Sequence, residues 1–175
     1  MRSFIGPPVQ SSFARVYNLS SKDAVNMGNA FRNHYKNNNL YSARPYDGIY
    51  DTLNLLHNKG IKLAIATYKR QDYAELIIEY FKMNRYFDCI CGSDFEGKLT
   101  KKDIISNAIK STRISSKNIY VIGDTLGDYQ GAHQNGLKFL GVTYGFGFKS
   151  GEELNDSDVI GMAYTPKDII GYFCD

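Results

Sequence analysis

Tryptophan is absent, cysteine occurs three times and proline four times in the 175 residues. An odd cysteine count argues against a disulfide-stapled secreted scaffold. Cys89-Ile90-Cys91 is also too tight for the usual zinc spacing, so the thiols read as reduced ones in a cytoplasmic protein. Lys plus Arg number 21 against 18 Asp plus Glu, and the net +3 is too small to argue for nucleic acid or an anionic membrane surface as a partner. No apolar run approaches the ~20 residues that span a bilayer. The opening Met1-Arg2-Ser3-Phe4-Ile5-Gly6-Pro7-Pro8 lacks a long apolar stretch with a small-residue cleavage site, which argues against a secretion signal. What is present, 43% hydrophobic and 22% charged residues, is the composition of a globular chain rather than a disordered one.

From residue 45 onward short apolar runs alternate with helical patterns. A helix over 48–59 aligns Ile49, Leu53, Leu55 and Leu56, and Gly60 suits the position just past its end. Ile61 to Thr67 then reads as a strand. A helix over 71–83 aligns Tyr73, Leu76, Ile77, Tyr80 and Phe81, and Phe87 to Ile90 is a short strand. The next helix, over 102–111, turns Ile104, Ile105, Ala108 and Ile109 inward. The clearest strand, Ile119 to Ile122, runs into Gly123-Asp124, and the helix from about 127 stops at Asn135-Gly136. Residues 137–142 and 159–163 are further strands, and Thr165-Pro166-Lys167-Asp168 carries a capping-box pattern that opens a last helix. This alternation predicts an α/β fold with a parallel sheet covered on both faces. Residues 1–44 differ, with a helix over 22–37 capped by Ser20 and a shorter one within 12–17. The chain thus divides into a small helical module, 1–44, and an α/β core, 45–175.

In an open α/β sheet ligands sit at the carboxyl ends of the strands. The residues there are Thr67-Tyr68-Lys69-Arg70, Lys101-Lys102 at a helix start, and Gly123-Asp124-Thr125-Leu126-Gly127-Asp128. A hydroxyl, cations and two carboxylates on one rim suit phosphate and a divalent metal: hydroxyl and backbone N–H groups hold phosphate oxygens, Lys neutralises them, and carboxylates hold Mg²⁺. Asp124 and Asp128, four apart, share a helix face if the helix has begun. Taken singly, Asp128 reads as a first-turn Asp favouring the helix dipole, Lys101 and Lys102 as a solvated pair, and Thr67 as a cap. Asp124, after an apolar strand and a glycine, points to function by itself.

Ile119 to Asp128, continued by Ala132-His133-Gln134-Asn135-Gly136 and by Gly141 to Gly147, resembles the fourth motif of the haloacid-dehalogenase-type phosphatases with a helical cap. The likeness is greatest to the phosphoglycolate phosphatase-like branch. Ala64-Ile65-Ala66-Thr67 resembles the second motif, with Thr67 the phosphate-binding hydroxyl, and Lys101 is a better match than Lys102 to the lysine of the third. Phe4 to Pro8 looks like the cap loop and Pro45-Tyr46-Asp47-Gly48 like the return to the core. The resemblance implies a Rossmannoid parallel sheet with a partial cap. It also implies an Mg²⁺-dependent phosphatase acting on a small phosphorylated metabolite, with Thr67, Lys69 and Lys101 on the phosphate and Asp124 and Asp128 on the metal.

One departure is large. These phosphatases begin with a central strand ending in Asp-x-Asp, whose first Asp attacks phosphorus, whereas Phe4-Ile5-Gly6 here already matches the cap. The Asp-x-Asp of this sequence, Asp156-Ser157-Asp158, reads as a loop before a strand. The expectation is therefore an N-terminally truncated chain that lacks the nucleophile and is inactive alone, or else a non-catalytic phosphate- and metal-binding remnant. A receiver-like or nucleotide-binding α/β domain is a weaker reading, because no acidic cluster or glycine-rich turn marks a first strand. A smaller departure is the bulky Tyr68, where relatives carry a small polar residue. Without the central strand, the strands at 61–67 and 119–123 are expected either to expose their inner edges or to pair directly, leaving a chain that is marginal or self-associating.

Overall fold

Two helices lead the chain, α1 (Val9–Tyr17) and α2 (Ser21–Asn38); the computed structural model describes residues 8–115, 118–151, 154 and 156–174. Ser20 caps α2 as its spacing predicts, donating to Asp23 Oδ2 at 2.6 Å and accepting the Asp23 N–H at 3.2 Å. The core then runs α3 (Ile49–Asn58), β1 (Ala64–Arg70), α4 (Gln71–Tyr80), β2 (Cys89–Ser93), α5 (Lys101–Thr112), β3 (Tyr120–Gly123), α6 (Leu126–His133), β4 (Lys138–Val142), β5 (Val159–Ala163) and α7 (Ile170–Phe173). Of the segments singled out in the sequence, Phe4 to Pro7 and Glu152-Glu153 lie outside the described residues.

The predicted α/β alternation is present, and every strand pair is parallel. The strands form two sheets, β1–β2 and β3–β4–β5. Side chains of β4 alternate between two cores, as a strand buried on both faces must. Leu140 and Val142 pack with Leu56 of α3, Ala163 of β5 and Ile169. Phe139 points the other way, among Ile105 of α5, Ala132 of α6, Leu137 and Phe148.

Among the described residues β1 and β3 do not pair with each other, so of the two sequence expectations the exposed inner edges are realised rather than direct pairing. A cleft of about 200 Å³ separates them, lined by Ala64 and Ala66 of β1, Val121 and Ile122 of β3, and Ile105 and Ala108 of α5 beneath. Ile122 is 40% exposed, an unusual state for an apolar residue in a parallel sheet.

Several element bounds differ from the sequence reading. β1 begins at Ala64 rather than 61 because the Asp88 side chain and backbone occupy Leu63: its N–H donates to Asp88 Oδ2 at 3.0 Å and its carbonyl accepts the Asp88 N–H at 2.8 Å. β1 also continues beyond Thr67, but its register against β2 is irregular between Ala66 and Arg70. Tyr80, aligned by its helical spacing with the buried Tyr73, is itself 56% exposed and stacks on Tyr41 with ring centroids 4.3 Å apart. The capping box of Thr165 and Asp168 forms, but it opens a 3-10 turn, Pro166–Ile169, ahead of the single turn of α7. Among the described residues no helix is long and apolar enough to cross a membrane.

Free strand edges recruit other strands. Sedimentation velocity over a wide concentration range is expected to show reversible self-association, and Ile122→Lys, which charges the exposed face of β3, is expected to shift it towards monomer. A wild-type chain that sediments as monomer throughout would contradict this.

Candidate active site

The site forms where β1 and β3 end. After Ala66 the irregular register of β1 lets Thr67 and Tyr68 leave the ladder, and Thr67 Oγ1 accepts the Lys69 N–H at 3.1 Å. Thr100 caps α5 in a reciprocal box with Asp103, which sets Lys101 at the first helical position. There the Lys101 N–H donates to the Tyr68 hydroxyl at 2.9 Å, so the bulky residue that departs from the resemblance serves as an acceptor for a helix N-terminus. The Lys101 ammonium reaches back to the Ala66 carbonyl at 2.9 Å and pairs with Asp128 Oδ1 at 2.7 Å. Lys102 faces away and is exposed, its carbonyl accepting the Asn135 amide. The geometry therefore separates the two lysines that the sequence left open.

Asp128 sits at the third position of α6 and closes a second capping box, accepting the Thr125 N–H and hydroxyl on Oδ2 at 3.0 and 2.6 Å. It is 8% exposed, with both oxygens engaged. Asp124 accepts the Phe146 N–H on Oδ2 at 2.7 Å, and its carbonyl accepts the Phe148 N–H at 2.7 Å. The loop can approach so closely because a Cβ on Gly145 would overlap the Asp124 side chain and one on Gly147 the Asp124 carbonyl oxygen. Beneath Asp124, Tyr46 and Tyr144 meet edge to face with centroids 5.0 Å apart. Burial first, then the neighbouring Tyr46 and Asp124, push the Tyr144 phenol up to about 12, so it stays neutral beside the carboxylate.

Thr67, Lys69, Lys101, Asp124 and Asp128 all line one cavity of about 500 Å³. Its far wall comes from the helical module, through Phe31, Arg32 and Tyr35 of α2. Lys69 crosses to that wall: its ammonium donates to the Tyr35 hydroxyl at 2.9 Å and lies 4.6 Å from the ring centroid. Arg70 forms a two-point pair with Asp72, both contacts at 2.6 Å, and covers the ring of Tyr73 at 4.1 Å. Burial, and then the charge of Arg70, hold the Arg32 guanidinium below its ordinary value. Gln10 of α1 fastens module to core, donating to the carbonyls of Glu96 and Gly97 while accepting from Arg32 at 2.6 Å.

The donor set suits an oxygen-preferring cation such as Mg²⁺, which takes one or two carboxylates and keeps several waters. Among the described residues one Asp124 carboxylate oxygen has no protein hydrogen bond, whereas Asp128 must exchange Lys101 or Thr125 to act as a direct ligand. Asp156 and Asp158 lie in the turn before β5, as the sequence reading had it. Asp156 accepts from the Tyr129 hydroxyl and the Asp158 N–H, and Asp158 lies 3.4 Å from His133. They take no part in the cavity. Sequence reasoning missed Arg32, Tyr35 and Phe146 as cavity residues. The helical spacing of Phe31 and Tyr35 on α2 was the signal available for the far wall, and nothing local marked Phe146.

Removing one partner of the largely buried Lys101–Asp128 ion pair leaves the other charge stranded. Lys101→Met is expected to destabilise the fold by about 3 kcal/mol, and adding Asp128→Asn to recover part of that, as read by urea denaturation of the two single variants and the double one. Acid is expected to destabilise as well. Asp72 is held below its ordinary 3.8 by the hydrogen bond from Arg70, and Asp168 by the N–H groups of Tyr164 and Thr165. Their contribution is complete above the unfolded-state value and is lost as pH falls through the depressed folded-state values. The melting temperature should therefore drop below about pH 4 and be insensitive to pH just above it.

The chain is similar in sequence and in fold to several known proteins. The sequence model of the haloacid dehalogenase-like hydrolases matches residues 1–142. A 5'-nucleotidase of Pseudomonas aeruginosa is 34% identical over 148 residues, 84% of this chain and 67% of that protein. A pyrophosphatase of Halalkalibacterium halodurans is 29% identical over 141 residues, and the match spans 64% of its length. Among solved structures, a predicted phosphatase from Clostridium acetobutylicum superposes with a TM-score of 0.89 at 36% identity, covering 98% of this chain and 79% of that one.

Proposed function

This chain belongs to the haloacid dehalogenase-like hydrolase family, and from that premise we propose that it carries the phosphate- and cation-binding side of a phosphatase site for a small phosphorylated metabolite. The observation that supports this is the convergence of Thr67, Lys101, Asp124 and Asp128 on one cavity at the carboxyl ends of two parallel strands. The Thr67 hydroxyl donates to a phosphate oxygen, Lys101 and Lys69 neutralise its charge, and the N-terminus of α5 adds its dipole. Mg²⁺, when bound, adds positive charge at the phosphate oxygens. Asp124 holds it through its available oxygen, and Asp128 completes the acidic pair while fixing Lys101. The three cysteines are free thiols, which suits a cytoplasmic protein.

Displacement at phosphorus by a carboxylate needs an oxygen that is unengaged and faces the phosphate. Asp128 has both oxygens committed, and Asp124 is turned to the Phe146 N–H and assigned to the cation. We assign the attacking role to neither, so the chain as given binds phosphate without hydrolysing its esters. Those same commitments favour a second reading, a non-catalytic phosphate- and metal-binding module. An in-frame segment upstream of the Met1 codon that ends a strand in Asp-x-Asp would decide for the phosphatase.

With p-nitrophenyl phosphate and Mg²⁺ the purified chain is expected to give no turnover above blank. Titration calorimetry is expected to detect inorganic phosphate, with Thr67→Val weakening it about tenfold, the effect of one lost hydrogen bond to a charged group. Turnover that Asp124→Ala abolishes would instead make Asp124 the nucleophile.

A further inference from the structure

Away from the cavity, the C-terminal end of α6 meets the turn before β5. His133, the last residue of α6, has its Nδ1 3.4 Å from Asp158 Oδ2, and Asp156 of the same turn joins them. Each of the three offers one ligand atom, and these atoms lie within 4.8 Å of one another. Among the described residues no other trio of His, Cys, Asp or Glu side chains does this. Their placement is fixed from both elements. The Asp158 carbonyl accepts the Phe139 N–H of β4 at 2.8 Å, and the Asp158 N–H donates to Asp156 Oδ1 at 2.8 Å. Tyr129, one turn before His133 on α6, donates its hydroxyl to Asp156 Oδ2 and stacks on the His133 ring with centroids 6.0 Å apart. A surface ion pair accounts for only part of this. One imidazole answers one carboxylate, and the second adds negative charge that is costly unless a cation shares the site. Among the described residues no lysine or arginine forms an ion pair with either acid.

We propose that His133, Asp156 and Asp158 bind a Zn²⁺ ion that clamps the end of α6 to the turn before β5. The donor set decides the metal. Asp124 and Asp128 at the rim offer oxygen alone, which suits Mg²⁺, whereas an imidazole nitrogen beside two carboxylates suits a borderline ion such as Zn²⁺. Zinc with bonds of about 2.1 Å in a tetrahedral arrangement spaces its ligand atoms about 3.4 Å apart. His133 Nδ1 and Asp158 Oδ2 already stand at that separation, and Asp156 closes the remainder by a side-chain adjustment. The Tyr129 hydroxyl and the Asp158 N–H are then the outer contacts that orient Asp156 as a ligand. Asp128 stands in the first turn of the same eight-residue helix, so the clamp holds the far end of the element that carries it. None of these three ligands lines the cavity, and the inference is independent of the phosphate reading.

Titration calorimetry of the whole chain with ZnCl₂, under excess MgCl₂ to occupy the oxygen-only rim, tests it. One Zn²⁺ is expected to bind, and the melting temperature to rise with its concentration. His133 is 55% exposed, so His133→Ala leaves the fold intact and is expected to remove the binding and the rise in melting temperature together. Asp158→Asn is expected to do the same. Tyr129→Phe, which deletes only the outer hydrogen bond, is expected to weaken Zn²⁺ about tenfold. Replacing all three cysteines by serine, or Asp124 by asparagine, is expected to leave the affinity unchanged. No Zn²⁺ binding, binding undiminished in His133→Ala, or binding that excess Mg²⁺ competes away overturns the proposal. Loss of the binding in the cysteine variant overturns it by placing the ion on the thiols, and loss in Asp124→Asn does so by placing it at the rim.

Discussion

One ammonium group joins the two halves of this molecule at the rim. Lys101 grips the last regular carbonyl of β1 and the carboxylate that opens α6 after β3, and so spans the cleft between two sheets that share no strand pairing among the described residues. Lys101 can do so because Thr100 and Asp103 fix the start of α5 and the Tyr68 hydroxyl takes its peptide N–H. The bridge adds to the strand-end register that sets Thr67 and to the capping box that sets Asp128. The residue that brings positive charge to the cavity is thus also the tie that keeps the cavity's walls in register.

That double duty explains why the site was partly legible in the sequence. Asp124 after an apolar strand and glycine, Thr67 at a strand end and Lys101 behind a capping threonine are local signals, and a topological rule places them on one rim. The parallel α/β alternation was legible for the same reason, since the period of the apolar residues records which face is buried. Less legible was whatever depends on pairing across the chain. Asp88 competes for the backbone of Leu63 and delays β1, and the irregular register after Ala66 carries the strand past Thr67, neither of which any periodicity records. Tyr80 has helical spacing but turns out to Tyr41, because a ring from the segment after α2 is there to receive it.

The carboxylates teach a related lesson. Sequence spacing puts Asp124 and Asp128 together and suggests two equivalent metal ligands, but their surroundings make them unlike. Asp128 is consumed by a capping box and an ion pair, while among the described residues one oxygen of Asp124 has no hydrogen-bond partner. Such a division depends on Phe146, eighteen residues beyond Asp128 in the chain, whose peptide turns the Asp124 carboxylate and whose ring opens onto the cavity. The loop that orients the acid therefore also shapes the space beyond it, and a change in either is felt by both.

The Gln10 clasp is one of several ties that seat the far wall of the cavity against the core. Its amide holds two backbone carbonyls of the core and one guanidinium of α2, all at the partly wetted margin of the cavity. Each of these bonds contributes about 1 kcal/mol net, and they act together with the Lys69 bond to the Tyr35 hydroxyl and the Tyr73 hydroxyl bond to the Arg32 carbonyl, which tie α2 to the core at other points. The seating of that wall is thus shared among Gln10, Lys69 and Tyr73, so that no single side chain sets the distance between the helical module and the strand ends.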